Sequence, residues 1–146
     1  MTVLDNSVIV PALLEAPHSR LAQEAFRRAS PIAVPPLWRH EFLNVLAICA
    51  RRRSLGAPDW ALVWRRALET FGPLEQQPDP LLALELAIRY SITGYDAQYV
   101  ALARQLHSPL LTEDRELLDK FPDITVTIEQ FVAGSRAPPG LTEDQH

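Results

Sequence analysis

Two short β-prone runs in this chain end on an acid that at once opens a helix, and this repeated junction restricts the available folds more than any other feature. Thr2-Val3-Leu4 leads into Asp5, after which Asn6-Ser7 can cap a helix through Val8, Leu13 and Leu14. Pro109-Leu110-Leu111-Thr112 leads into Glu113-Asp114 and a helical segment from Arg115 to Lys120. Ile32-Ala33-Val34, stopped by Pro35-Pro36, reads as another strand and Thr125-Val126 as a last one, with Gly72 to Glu75 a weak candidate. Helical periodicity fills the intervals: roughly His18 to Ala29, Leu37 to Arg53, a segment opened by Pro58-Asp59, another opened by Asp79-Pro80, and one around Asp96. Strands that alternate with helices or helix pairs require right-handed crossovers and a parallel sheet covered on both faces. Such sheets place function outside the carboxyl ends of their strands, where Asp5 and Asp114 fall.

Two further acids lie on apolar helical stripes. In ITGYDAQYVALA, from Ile92 to Ala103, Asp96 shares a stripe with Tyr99, Val100, Ala103 and Leu106, so it heads a column that packs on the core. An ionised carboxylate there is costly unless something holds it. Thr93, three residues earlier, also fits a capping box, in which the acid returns to a free backbone N–H. From Leu37 to Arg53, Trp38, Phe42, Val45, Leu46 and Cys49 follow the 3.6-residue period, with Glu41 inside the stripe or at its wet edge.

With 146 residues, 47% of them apolar, the chain suffices for one domain without a structural metal or disulfide. The domain is expected over residues 1–132, and the polar segment 133–146, with Pro138-Pro139-Gly140, is expected to be a disordered tail. Cys49 is alone and the N-terminal segment lacks a basic leader, which suits a reducing cytoplasm. The apolar run Phe42 to Ala50 is too short to cross a bilayer, so no membrane association is expected. The net charge of −4 argues against tight non-specific nucleic-acid binding, but arginines gather locally at Arg27-Arg28, Arg51-Arg52-Arg53 and Arg65-Arg66. Those clusters suit phosphate contacts or are solvated faces, and Arg51 to Arg53 also complement a helix C-terminus.

Four carboxylates meeting in one cleft repel one another, so an ionised cluster of Asp5, Glu41, Asp96 and Asp114 requires a cation. Oxygen ligands without histidine or cysteine favour Mg²⁺ or Mn²⁺ over zinc. Such a site suits hydrolysis of a phosphodiester. Other α/β sites fail on their motifs: no GxGxxG follows Leu4 and no GxxxxGK[ST] occurs anywhere. Ser7 stands where a dehalogenase-type phosphatase needs a second acid, and the single lysine, Lys120, follows a helical segment instead of a strand.

Four segments together resemble the PIN domain, and in particular VapC-type toxins of toxin–antitoxin pairs: VLDNSV around Asp5, VPPLWRHEFLNVL around Glu41, ITGYDAQYVALA around Asp96 and LLTEDREL around Asp114. The resemblance spans Val3 to about Val132 and implies a three-layer α/β/α fold with a short central parallel sheet. It also implies a Mg²⁺- or Mn²⁺-dependent endoribonuclease, with Asp5, Glu41, Asp96 and Asp114 at the family's acidic positions. Ser7 and Thr112 match small hydroxyl positions that help hold the acids or a metal-bound water. Glu113 adjoins Asp114 as a competing ligand, and the family's Thr-x-Asp pattern favours Asp114. Asp5, Asp96 and Asp114 are expected to hold metal, while Glu41 binds a second ion or helps deprotonate the attacking water. RNA as substrate, a VapB-type antitoxin and a homodimer are the partners implied, with Arg51, Arg52 and Arg53 as candidate RNA contacts. Trp60 and Trp64 belong to a dimer or antitoxin surface or to the core. The alternatives are a non-catalytic PIN-like protein-binding module, or a PIN nuclease acting in RNA processing or on DNA.

Overall fold

The computed structural model describes residues 1–14, 19–52 and 59–134. Strands β1 (Thr2–Leu4), β2 (Ile32–Ala33), β3 (Leu110–Leu111) and β4 (Thr125–Val126) form one parallel sheet in the order β2-β1-β3-β4. The helices are α1 (Asn6–Leu13), α2 (Ser19–Arg28), α3 (Trp38–Arg52), α4 (Trp60–Phe71), α5 (Pro80–Tyr90), α6 (Gly94–Gln105), α7 (Arg115–Lys120) and α8 (Ile128–Val132). Every strand residue is buried, as a parallel sheet roofed on both faces requires.

Period-two alternation along these very short strands separates two cores. Leu4, Leu111 and Val126 face a core built with α1, α2, α3, α4 and α8, while Val3, Ala33 and Leu110 face one built with α5, α6 and α7. The result is the expected three-layer α/β/α arrangement. From β1 the chain crosses to β2 on one side, and from β3 it crosses to β4 on the other, so the strand order reverses between β1 and β3. Ligand sites in open parallel sheets form at such a reversal, beyond the carboxyl ends of the strands. Leu4 pairs with Leu111, and the Asp5 N–H donates to the Leu111 carbonyl at 3.2 Å, which sets Asp5 beside Thr112 at that edge.

Several local expectations change in the folded chain. Gly72–Leu74 is a 3₁₀ turn, with only an isolated parallel bridge between Val34 and Glu75. Pro73 lacks the N–H that a paired strand needs, which accounts for the missing strand. Trp64 stacks near Trp38 and Phe42, with ring centroids 6.2 and 6.3 Å apart, and Trp60 is partly buried against the same core. Both tryptophans therefore pack against the larger core while keeping part of their surface exposed. Thr127 and Gln130 form the expected capping box at α8. His18, Arg53, the segment opening before Asp59 and nearly all of the expected tail lie outside the described residues.

The aromatic cluster dominates the larger core. Phe71 is fully buried and its ring centroid lies 5.5 Å from both Phe26 and Trp38. Phe71→Ala should therefore lower unfolding free energy by about 3–5 kcal/mol in urea denaturation. A loss under about 1 kcal/mol would mean that the cluster repacks around the gap.

Candidate active site

Asp5 is the most constrained acid in the structure. It is 5% exposed, it caps α1 by accepting the Ser7 N–H at 3.0 Å, and its Oδ1 also accepts the Ser7 hydroxyl at 2.5 Å. The Thr112 hydroxyl donates to Asp5 Oδ2 at 2.5 Å. Each hydroxyl has one proton, and both protons are directed at Asp5, so the oxygens remain free to accept. The Ser7 oxygen accepts the Glu113 N–H at 2.8 Å, and the Thr112 oxygen accepts the Asp114 N–H at 3.0 Å. Ser7 and Thr112 thus join the junction after β1 to the junction after β3 through a single carboxylate.

Burial raises the Asp5 carboxyl from 3.8 to about 7, against the opposing effect of the Ser7 and Thr112 hydrogen bonds and with a further push from the Asp114 charge. Glu41, in the first turn of α3, is raised by burial and by the Asp96 charge, and is lowered by the Tyr99 hydroxyl. Asp96, in the first turn of α6, is raised by burial and by the charges of Asp114 and Glu116, and is lowered by Thr93. Asp114 caps α7 by accepting the Leu117 N–H at 3.1 Å. These mutual influences bring all four sequence-derived acids into one electrostatic neighbourhood.

Thr93 accepts the Asp96 N–H at 3.0 Å, so the cap at α6 exists, yet the Asp96 carboxylate is not confined to it. The cap reading therefore holds for Asp96, and the charges of Asp114 and Glu116 bear on the same carboxylate. Glu113 is drawn elsewhere, its Oε1 accepting the Ile128 N–H at 2.6 Å at the start of α8. Arg51 and Arg52 are exposed at the far end of α3.

Two contributors escaped the sequence reading. Tyr99 is 1% exposed and donates to Glu41 Oε1 at 2.5 Å, and Glu116 adds charge beside Asp96 while also pairing with Lys120 at 2.8 Å. The position of Tyr99 one helical turn beyond Asp96 was a usable signal, but its apolar ring makes it read as core.

Among the described residues, none of the four acids forms a salt bridge. The side-chain oxygen of Asn6, next to Asp5, is buried without a hydrogen-bond donor. The donor set is entirely oxygen and its negative charge is uncompensated, which fits a hard divalent cation. Among the described residues no three acidic, histidine or cysteine side chains are gathered as a coordination sphere.

Because Asp5 titrates higher when folded than when unfolded, its favourable contribution is complete below pH 3.8 and is lost as pH rises to about 7. The shift corresponds to ~4 kcal/mol. Asp5→Asn should therefore gain stability relative to the parent between pH 4 and 7 and hold that gain above pH 7, in melting curves recorded with EDTA. A difference independent of pH would show that Asp5 is ionised comfortably in the fold.

Comparison with known proteins agrees with this architecture. The PIN domain family model matches residues 2–123. Ribonuclease VapC3 of Pyrobaculum aerophilum is 32% identical over 123 residues, covering 82% of this chain and 94% of that protein. Ribonuclease VapC9 of Mycobacterium tuberculosis is 37% identical over 122 residues, covering 82% of this chain and 90% of its own length. The crystal structure of PAE2754 from Pyrobaculum aerophilum superposes with a TM-score of 0.70 at 26% identity, covering 91% of this chain and 94% of that one. With its parallel sheet, its four acids at the carboxyl edge and a family match over most of its length, the chain belongs to the PIN-domain family, among the VapC ribonucleases.

Proposed function

We propose that this chain is a VapC-type toxin, an endoribonuclease that hydrolyses RNA phosphodiesters at the Asp5, Glu41, Asp96 and Asp114 site with Mg²⁺ or Mn²⁺. The site is supported by a chain of electrostatic influence from Asp5 to Asp114, Asp114 to Asp96 and Asp96 to Glu41, four carboxylates from separate elements, none paired with a basic side chain among the described residues. The names of relatives that match over most of their length support the activity.

Asp5, Asp96 and Asp114 are the proposed metal ligands. A bound divalent ion at such a site lowers the pKa of water and offsets charge on the transferring phosphorus. The protein's own contribution is placement. Asp5 is held by Ser7 and Thr112, Asp114 is aimed by its capping of α7, and Asp96 is presented from the first turn of α6. Glu41 has a raised pKa and one oxygen held by Tyr99, so its other oxygen is suited to accept a proton from an attacking water.

Arg51 and Arg52 are proposed to meet RNA phosphates beyond the cleavage point. Ten residue steps along α3 lead from Glu41 to Arg51, a rise of about 15 Å. Their charge reversal should weaken RNA binding and reduce the dependence of affinity on salt by about one unit of slope per phosphate contact. Unchanged slopes would identify them as solvated charges.

A VapB-type antitoxin and a second copy of the chain are the proposed partners, and a cytoplasmic location is part of the same reading. Leu81, Leu84 and Ile88 lie exposed at helical spacing along α5, which supports self-association on that face. Among the described residues no helix is long and apolar enough to cross a membrane.

The decisive assay uses a closed circular RNA with Mg²⁺ or Mn²⁺, with EDTA, and with Asp96→Asn. The expected result is opening of the circle by the parent protein, none in EDTA, and a rate lower by about 100-fold or more in the variant. Cleavage that survives both chelation and substitution would overturn the mechanism. Absence of both Mn²⁺ binding and cleavage would favour a protein-binding module.

A further inference from the structure

We infer that Tyr99 is a positioning residue for Glu41, one whose hydroxyl sets the direction of that carboxylate within the acidic site. The inference rests on the nuclease reading above and deepens it. Glu41 has three side-chain torsions, and among the described residues no group of its own helix hydrogen-bonds its carboxylate. Tyr99 has only two torsions, its ring is 1% exposed, and it belongs to the buried column of α6 beside Val100 and Ala103. The rigid partner therefore orients the flexible one.

The hydrogen bond is direct, Tyr99 hydroxyl to Glu41 Oε1 at 2.5 Å, across 58 positions of sequence. A phenol has a single proton to donate, and Asp5 and Asp96 also bear on it electrostatically, yet the proton is directed to Glu41. Among the described residues Glu41 Oε2 has no hydrogen-bond partner. Tyr99 thus occupies one oxygen and leaves the other uncommitted among the described residues, which is what a group needs if it is to take a proton on a single oxygen. Phenylalanine would fill the same core space, so packing alone does not account for a hydroxyl at this position. A buried hydroxyl without a partner would be a cost to the fold.

The test compares the parent protein, Tyr99→Phe, Glu41→Gln and the double variant by RNA cleavage with Mn²⁺, by melting temperature, and by crystal structures of the parent and Tyr99→Phe. The expected Tyr99→Phe protein is folded, with Glu41 no longer in a single orientation, kcat lower by about 10- to 100-fold and KM for RNA unchanged. In the Glu41→Gln background the same substitution should cost little or nothing further, because the group it positions is already lost. Glu41 unmoved in Tyr99→Phe, an unchanged kcat, or an equal loss in both backgrounds would overturn the inference. A parent protein that cuts no RNA would overturn the nuclease reading instead, and the position of Glu41 in the two crystal structures would then decide whether Tyr99 holds it.

Discussion

Asp5 has almost no contact with water and, among the described residues, no basic side chain paired with it, and the placement of the rest of the site follows from how the fold accommodates it. The acid stands one residue beyond the β1–β3 pairing, where the Leu4–Leu111 register sets it next to Thr112. Ser7 and Thr112 each give their one proton to it and each take a backbone N–H from the loop after β3. A residue in α1 and a residue just past β3 are thereby held to the same carboxylate, and the start of α7, with Asp114 as its cap, is fixed relative to β1. Hydrophobic packing could bring these segments near one another, but it lacks the direction that hydrogen bonds impose.

The same arrangement is poorly suited to an ionised Asp5. Burial outweighs three hydrogen bonds and raises the carboxyl to about 7, with Asp114 adding to the effect. Glu41 and Asp96 are raised for related reasons, each by burial and by a neighbouring acid. A fold selected for stability alone would place an arginine among these groups or replace them with apolar side chains. The chain has thirteen arginines, yet among the described residues none forms a salt bridge with the four acids. Local instability of this kind is characteristic of sites that await a ligand.

Stability comes from elsewhere in the molecule. On one side of the sheet, Trp38, Phe42, Trp64 and Phe71 form an aromatic cluster that joins α3 to α4. On the other, α6 is nearly enclosed, with Tyr99, Val100, Ala101, Leu102 and Ala103 all buried. The two helices that carry Glu41 and Asp96 are therefore anchored by their apolar faces, and Tyr99 links them across the carboxyl edge of the sheet. Rigid supports of this sort allow a site made of mutually repelling groups to persist.

Much of this was legible in the residues. Short strands alternating with helical periods specified the parallel three-layer fold, because crossover handedness and burial of both sheet faces leave few alternatives. The strand–acid–helix junctions at Asp5 and Asp114 marked the carboxyl edge, and the apolar stripes marked Glu41 and Asp96 as acids turned toward the body of the protein. Local patterns say which face a side chain takes, but not which distant group it meets. Folding alone decided that Trp64 stacks on Trp38, that Glu113 turns to α8 while Asp114 stays with the acids, and that Tyr99 reaches Glu41. Each of those contacts joins elements brought together by sheet order and register, which are properties of the assembled chain and of no single stretch within it.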